Sequence, residues 1–188
     1  MATYFKNKYR NESIRLQNWD YRWDGAYFIT FCTKNRVDYF GEIQDGKMQL
    51  SQIGVIADIC WNEIKNHSKN VTLGAFVVMP NHIHGVVILN NGYIKEDEQE
   101  LSIIESTPKT IGQKRYQNIG KNSISSIIGS YKSAVTKHAR RLGFEFEWQR
   151  LFYEHIIRDE KSFYHISNYI ENNVKKWEED RFMKENLT

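Results

Sequence analysis

The segment AYFITFCT (26–33) is aromatic, apolar or β-branched almost throughout, the pattern of a half-buried or buried strand. Residues 36–50 follow with Gly41 and the turn pair Asp45-Gly46, and predict a small hairpin. Ser51 then stands where an N-cap would stand. Beyond it, Ile53, Ile56, Ala57, Cys60, Trp61 and Ile64 recur at the spacing of a helix that buries one face. That helix is expected to end near residues 67–70. VTLGAFVVMP (71–80) and HIHGVVIL (82–89) predict two further strands. Only Pro80-Asn81 separates them, so they are expected to pair antiparallel at the centre of a sheet. From 90 to 121 the periodicity is lost, which predicts a polar insertion or mobile loop inside one domain. A second helix is expected over 123–142, with Ile124, Ile127, Ile128, Tyr131, Val135 and His138 on one face and Gly143 as its stop. FEFEW (144–148) alternates as a strand does, and LFYEHIIR (151–158) contains another. Asp159 would cap a helix over 160–172, with one more over 174–184. The order β, hairpin, α, β, β, loop, α, β, α, α fits an α+β sandwich, a mostly antiparallel sheet with helices on one face.

Composition changes this picture little. The chain has 188 residues, enough for one domain with a real core. Residues 1–24 form a polar, basic arm with interleaved rings, and 25–188 form the domain. The arm reads equally as a segment lying on nucleic acid and as one that docks its rings on the core. A net charge of +3 permits a nucleic-acid partner without demanding one. Aromatic residues are 14% of the chain, and rings serve both cores and base stacking. Cys32 and Cys60 fit no metal or redox spacing and read as buried thiols in a reducing compartment. The start is polar, with no signal peptide, and no apolar run approaches the roughly 20 residues of a membrane span. The expectation is a soluble, cytoplasmic protein.

The sharpest chemical feature is Pro80-Asn81-His82-Ile83-His84. Residues two apart on a strand share a face, so His82 and His84 project together and can chelate one divalent ion. The alternative is two polar residues on an exposed face. The apolar flanks on both sides favour the metal, since core strands rarely carry bare histidines. Two ligands are too few, and the stretch His165–Asn173 offers more. On a helix, Tyr169 and Asn173 lie four apart on one face, a phenol beside an amide. By spacing alone Tyr169 reads first as a core tyrosine of an amphipathic helix. A nucleophile is the alternative, and a phenol with a pKa near 10 would need help from a metal.

The run FVVMPNHIHGVVIL resembles the histidine–hydrophobe–histidine segment of the HUH single-tyrosine transposases, the insertion-sequence transposases and the REP-associated tyrosine transposases. The likeness continues in SYKSAVTKHAR, EWQRLFYEHIIRDEKSF, YIENNVKKWEEDRF and, near the start, YFITFCTKNRVDYFGEI. It spans about residues 20–183 apart from the loop. The resemblance implies a ferredoxin-like sandwich with the two histidines on a central strand. It implies that His82, His84 and Asn173 bind Mg or Mn, and that Tyr169 attacks a phosphate of single-stranded DNA. A 5′-phosphotyrosine would form, a 3′-OH would leave, and a hydroxyl would later rejoin the strand. DNA hairpins beside the cut are implied as ligands.

Insertion-sequence members carry Gln four residues after the tyrosine. Here it is Asn173, as on the REP-associated side, whose members then have Pro where this chain has Val174. Tyr131 on the basic helix is a rival nucleophile, weaker for want of an amide four residues on. Lys132, Lys137, Arg140, Arg141, Arg150 and Arg158 are candidate phosphate contacts, although any one of them reads equally as a solvated charge. Trp148 and Gln149 read as packing residues. Two other functions remain: a non-catalytic nucleic-acid-binding relative, and a metal-dependent hydrolase, which would want carboxylates near the pair. Relatives act either as monomers or as homodimers that exchange the tyrosine helix.

Overall fold

The structure is a computed structural model that describes residues 19–92, 120 and 122–179. Most of the N-terminal arm (1–18), most of the insertion (93–119 and 121) and residues 180–188 lie outside the described residues. The chain runs through β1 (Gly25–Cys32), a hairpin of β2 (Gly41–Gln44) and β3 (Lys47–Leu50), and α1 (Gln52–His67). It continues through β4 (Val71–Val78), β5 (His82–Leu89), α2 (Ile124–Arg141), β6 (Tyr153–Ile157) and α3 (Glu160–Asn172). A 3-10 segment, Val174–Glu179, stands where the start of a further helix was expected.

The local signals act as the sequence implies. Ser51 Oγ accepts the Gly54 N–H at 3.1 Å and starts α1. Asp159 Oδ1 accepts the Ser162 N–H at 2.8 Å and starts α3. Asp45 and Gly46 sit at φ 52° and 69°, the left-handed pair that a tight two-residue hairpin turn requires.

The main sheet has the order β4-β5-β1-β6. Each neighbouring pair is antiparallel, with Phe28 opposite Val86 and His155, and Thr30 opposite His84 and Tyr153. This is the ferredoxin-like α+β sandwich, with the β2–β3 hairpin set into the first crossover. β5, the histidine strand, is interior as expected, but β4, expected beside it at the centre, forms one edge because β1 takes the other side of β5.

Alternation assigns each face. Tyr27, Ile29, Phe31, Ile83, Val87 and Leu89 point to the side covered by α1 and α2 and form the main core with Trp61, Ile128, Tyr131 and Val135. α3 crosses β4 and β5 on the opposite side. There Ile170, Phe163 and Ile166 pack on Val86, Ile157 and Val77 as a second, smaller cluster.

Two further expectations are corrected. FEFEW (144–148) is not a strand. β6 already occupies the edge of β1 as far as Thr30, so this segment meets only the end of that strand. It makes one bridge, Thr33 with Trp148, and Gln149 N–H donates to the Cys32 carbonyl at 2.9 Å. On α2, His138 is exposed and Ala139 is buried. The chain after Gly143 folds back over Ala139, with Phe144 N–H donating to its carbonyl at 3.0 Å.

Gly85 on β5 is required by packing. A Cβ there would lie 2.4 Å from the Trp61 indole, which is itself stacked on Phe76 with centroids 4.6 Å apart. Gly85→Ala is expected to destabilise the domain by about 1–3 kcal/mol, measured by urea unfolding. An unchanged midpoint would show that Trp61 can move aside.

Candidate active site

The two histidines stand as strand alternation dictates. His82 and His84 are both buried on the α3 side of β5, with their Nε2 atoms 3.1 Å apart. Each ring is held from behind. His84 Nδ1 lies 2.7 Å from Thr30 Oγ1 on β1. His82 Nδ1 lies 3.0 Å from Asn81 Oδ1.

The second contact fixes a proton. Asn81 Nδ2 donates to Asp38 Oδ1 at 2.9 Å, and a carboxylate accepts only, so the amide nitrogen must face Asp38. The amide oxygen therefore faces His82 and takes the proton on Nδ1. His82 Nε2 is left with its lone pair toward His84, the tautomer a metal ligand needs. Loss of water around Asp38 pushes its carboxyl above the usual value, while the Asn81 amide pulls it back. Asn81→Ala is expected to weaken divalent-metal affinity about 10–100-fold, measured by calorimetry with Mn. Unchanged affinity would show that Asn81 does not set the tautomer.

The late helix closes the site. Tyr169 Oη lies 3.2 Å from His84 Nε2, and the two rings meet edge to face with centroids 5.3 Å apart. The phenol is 45% exposed, so it faces both the histidine and solvent. Four residues on, Asn173 is buried and its Oδ1 has no hydrogen-bond partner among the described residues. Four residues beyond that, Trp177 stacks on His82 with centroids 5.9 Å apart. Asn173 keeps helical φ and ψ of −62° and −42°, so it follows Tyr169 on one side of the helix. Tyr169 meets the pair at His84, and Trp177, in the 3-10 segment, meets it at His82.

These residues could hold a divalent metal. Two Nε2 atoms facing each other at 3.1 Å share a single small space, and a buried amide oxygen without a partner is a lone pair in want of a cation. Among the described residues no group of three or more His, Cys, Asp or Glu side chains could do so, so the set is two imidazoles and one amide. Such a set leaves coordination positions open.

Tyr131, the rival phenol, is elsewhere. It is buried between the sheet and α1, and its Oη donates to the Ala57 carbonyl at 2.9 Å. Burial drives its pKa well above 10, so the phenol stays protonated.

The six candidate phosphate contacts are not gathered around the histidines. Lys132 is half-buried, donates to the Gln149 carbonyl at 2.7 Å and lies over the Trp148 ring. Desolvation lowers its pKa to about 8. Lys137 and Arg140 share a shallow depression with it on α2, and Arg141 lines the α1–α2 groove. Arg150 is exposed before β6, and Arg158 lines a cleft beside β6. Trp148 packs in the core, with its Nε1 donating to the Lys132 carbonyl at 3.1 Å. The described part of the arm docks on the core: Trp19 and Tyr21 pack there, and Trp19 Nε1 donates to Tyr27 Oη at 3.1 Å.

Sequence reading missed Asp38, Thr30 and Trp177. Only Trp177 left a trace, as the next ring in the four-residue series from Tyr169.

No protein-family model matches the chain. Similarity in structure shows its fold. A REP-associated tyrosine transposase, solved bound to a REP hairpin, aligns with 89% of this chain and 73% of its own at a TM-score of 0.51 and 22% identity. The chain therefore has the HUH tyrosine transposase fold. By sequence it belongs to one family with an uncharacterized protein of Haemophilus influenzae (strain Rd), to which it is 38% identical over 175 residues, 92% of this chain and 93% of that one.

Proposed function

We propose that the chain cuts and rejoins single-stranded DNA at sites marked by hairpins, with Tyr169 as nucleophile and Mg or Mn held by His82, His84 and Asn173. The observation that carries this reading is the position of the Tyr169 phenol, 3.2 Å from His84 Nε2 on a residue that is 45% exposed. The rival phenol of Tyr131 is buried in the main core instead. The REP hairpin bound to the structural neighbour supports hairpin DNA as the ligand and the REP-associated side of the fold as the nearer comparison.

In this reading Tyr169 Oη attacks the scissile phosphorus and loses its proton to solvent. An O–P bond forms to the phenol and the P–O3′ bond breaks, leaving a 5′-phosphotyrosine and a 3′ oxygen that takes up a proton. Rejoining reverses these steps with a 3′-OH as nucleophile. The phosphodiester energy stays in the tyrosyl ester, so no nucleotide cofactor is required. A bound divalent ion would neutralise phosphate charge and orient the attack. Asn81 and Thr30 hold the imidazoles, and Trp177 shields His82 from one side.

The test is to incubate the protein with hairpin-bearing single-stranded DNA and Mn, then denature it. A protein–DNA adduct that survives denaturation is expected. Cleavage without an adduct would assign the site to a hydrolase. Binding without cleavage, over a range of sequences, would leave a non-catalytic nucleic-acid-binding protein.

A further inference from the structure

α3 lies mainly over β4 and β5. Alternation places Ala26, Phe28 and Thr30 of β1 and Tyr153, His155 and Ile157 of β6 on the same side of the sheet. Thr30 and Ile157 are buried there, while Tyr153 and His155 are exposed. An exposed strand edge normally carries polar groups. Here the six residues include three rings and no carboxylate. Phe28 stacks on His84 with centroids 5.3 Å apart at 27°. Tyr169 meets Phe28 edge-on at 6.2 Å and 83°, and Tyr153 meets it at 6.4 Å and 70°. A continuous row of rings thus runs from the Tyr169 phenol to the edge strand. At that edge Tyr153 and His155 are exposed. They line a cleft of about 450 Å³ with Tyr21 and Arg158, where the carboxylates are Glu154 and Asp159. Asp159 is committed to Ser162, whose N–H and hydroxyl it accepts at 2.8 Å and 3.0 Å.

We propose that this cleft seats the unpaired nucleotide next to the bond that is cut, with its base on the Tyr153 and His155 rings and its phosphate at Arg158. The inference rests on the reading of Tyr169 as nucleophile and adds the substrate contact that this reading lacks. Base–ring stacking suits the site because every base has a π-face, and the aromatic row leads directly to the phenol. The volume fits a small ligand of nucleotide size. A second copy of the chain pairing along β6 is disfavoured, because that edge offers only the five residues Tyr153–Ile157.

The probe is a roughly 15-residue single-stranded oligodeoxythymidylate carrying one 2-aminopurine, a length within the usual range of single-strand sites. Its emission is expected to fall on binding, as the analogue stacks. Tyr153→Ala is expected to restore most of the emission and to weaken binding about tenfold, with the salt dependence unchanged. Arg158→Gln is expected to flatten the plot of log affinity against log salt by about 0.7. Both side chains are solvent-facing, so the variants should fold, and circular dichroism verifies this. If the wild type binds the strand and Tyr153→Ala binds equally well with the same quenching, the cleft assignment falls and the catalytic reading stands. If Tyr153→Ala instead changes the mass measured by light scattering, the cleft is an interface between copies and the assignment is overturned. If the wild type does not bind this strand at all, the cleft assignment falls, and the catalytic reading stands or falls separately on the hairpin-bearing DNA.

Discussion

Tyr169→Phe is expected to abolish the covalent protein–DNA adduct and to lower strand cleavage by about 10⁴-fold or more, the scale on which enzymes lose rate when a nucleophile is deleted. Binding of the same oligonucleotide should change by less than about twofold. The reason for both expectations is geometric. The hydroxyl lies 3.2 Å from His84 Nε2, while the ring keeps its edge-on contacts with Phe28 and His84 when the oxygen is removed. Stability should shift by no more than about 0.5 kcal/mol, as for a solvent-facing group. Denaturing electrophoresis of a labelled strand measures the adduct. Persistence of the adduct in Tyr169→Phe would disprove the assignment. The same holds if it disappears instead in Tyr131→Phe, although the buried Tyr131 hydroxyl, tied to the Ala57 carbonyl, gives that outcome no structural route.

His84→Ala is expected to have the second-largest effect, because one ring serves four neighbours. It faces His82, it touches the Tyr169 hydroxyl, it stacks on Phe28, and its Nδ1 meets Thr30. In the wild type, Mn at 100 times its dissociation constant should stabilise the fold by about 2.7 kcal/mol. For a domain of this size that raises Tm by roughly 5–10 °C. In His84→Ala the rise should vanish and cleavage should drop by at least about 10³-fold, an effect expected of losing metal and orientation together. Acidification should weaken Mn binding to the wild type, since protons compete for the imidazole lone pairs. A thermal rise that survives in both His84→Ala and His82→Ala would place the metal elsewhere.

The elements were readable where periodicity and caps agreed. Ser51, Asp159 and Gly143 each mark an element boundary, and the apolar stripe of α1 matches its buried side. FEFEW misled because alternation reports the faces of a segment and not whether a partner edge is free. His138 misled because the stripe of α2 says nothing of the chain that folds back over Ala139. At the site, the strand period placed both histidines on one face without help. Tyr169 and Asn173 followed from helical spacing plus resemblance. Asp38 could not be found in this way, since its role depends on a hydrogen bond across 43 residues. Nor could the basic residues be placed, because a charge on α2 looks the same in sequence whichever face of the sheet the helix covers.

The smaller cluster under α3 has a mechanical consequence. The helix is fastened through Ile170, Phe163 and Ile166 to a patch separate from the main core. Elements held by few apolar contacts open at lower free energy than the whole domain. With Tyr169 as the proposed nucleophile, the severed strand's 5′ end becomes cargo on a latch that can release while the barrier to global unfolding is never approached. The phenol docks on the histidine of its own chain, so opening of this latch would carry the tethered end away from the pair.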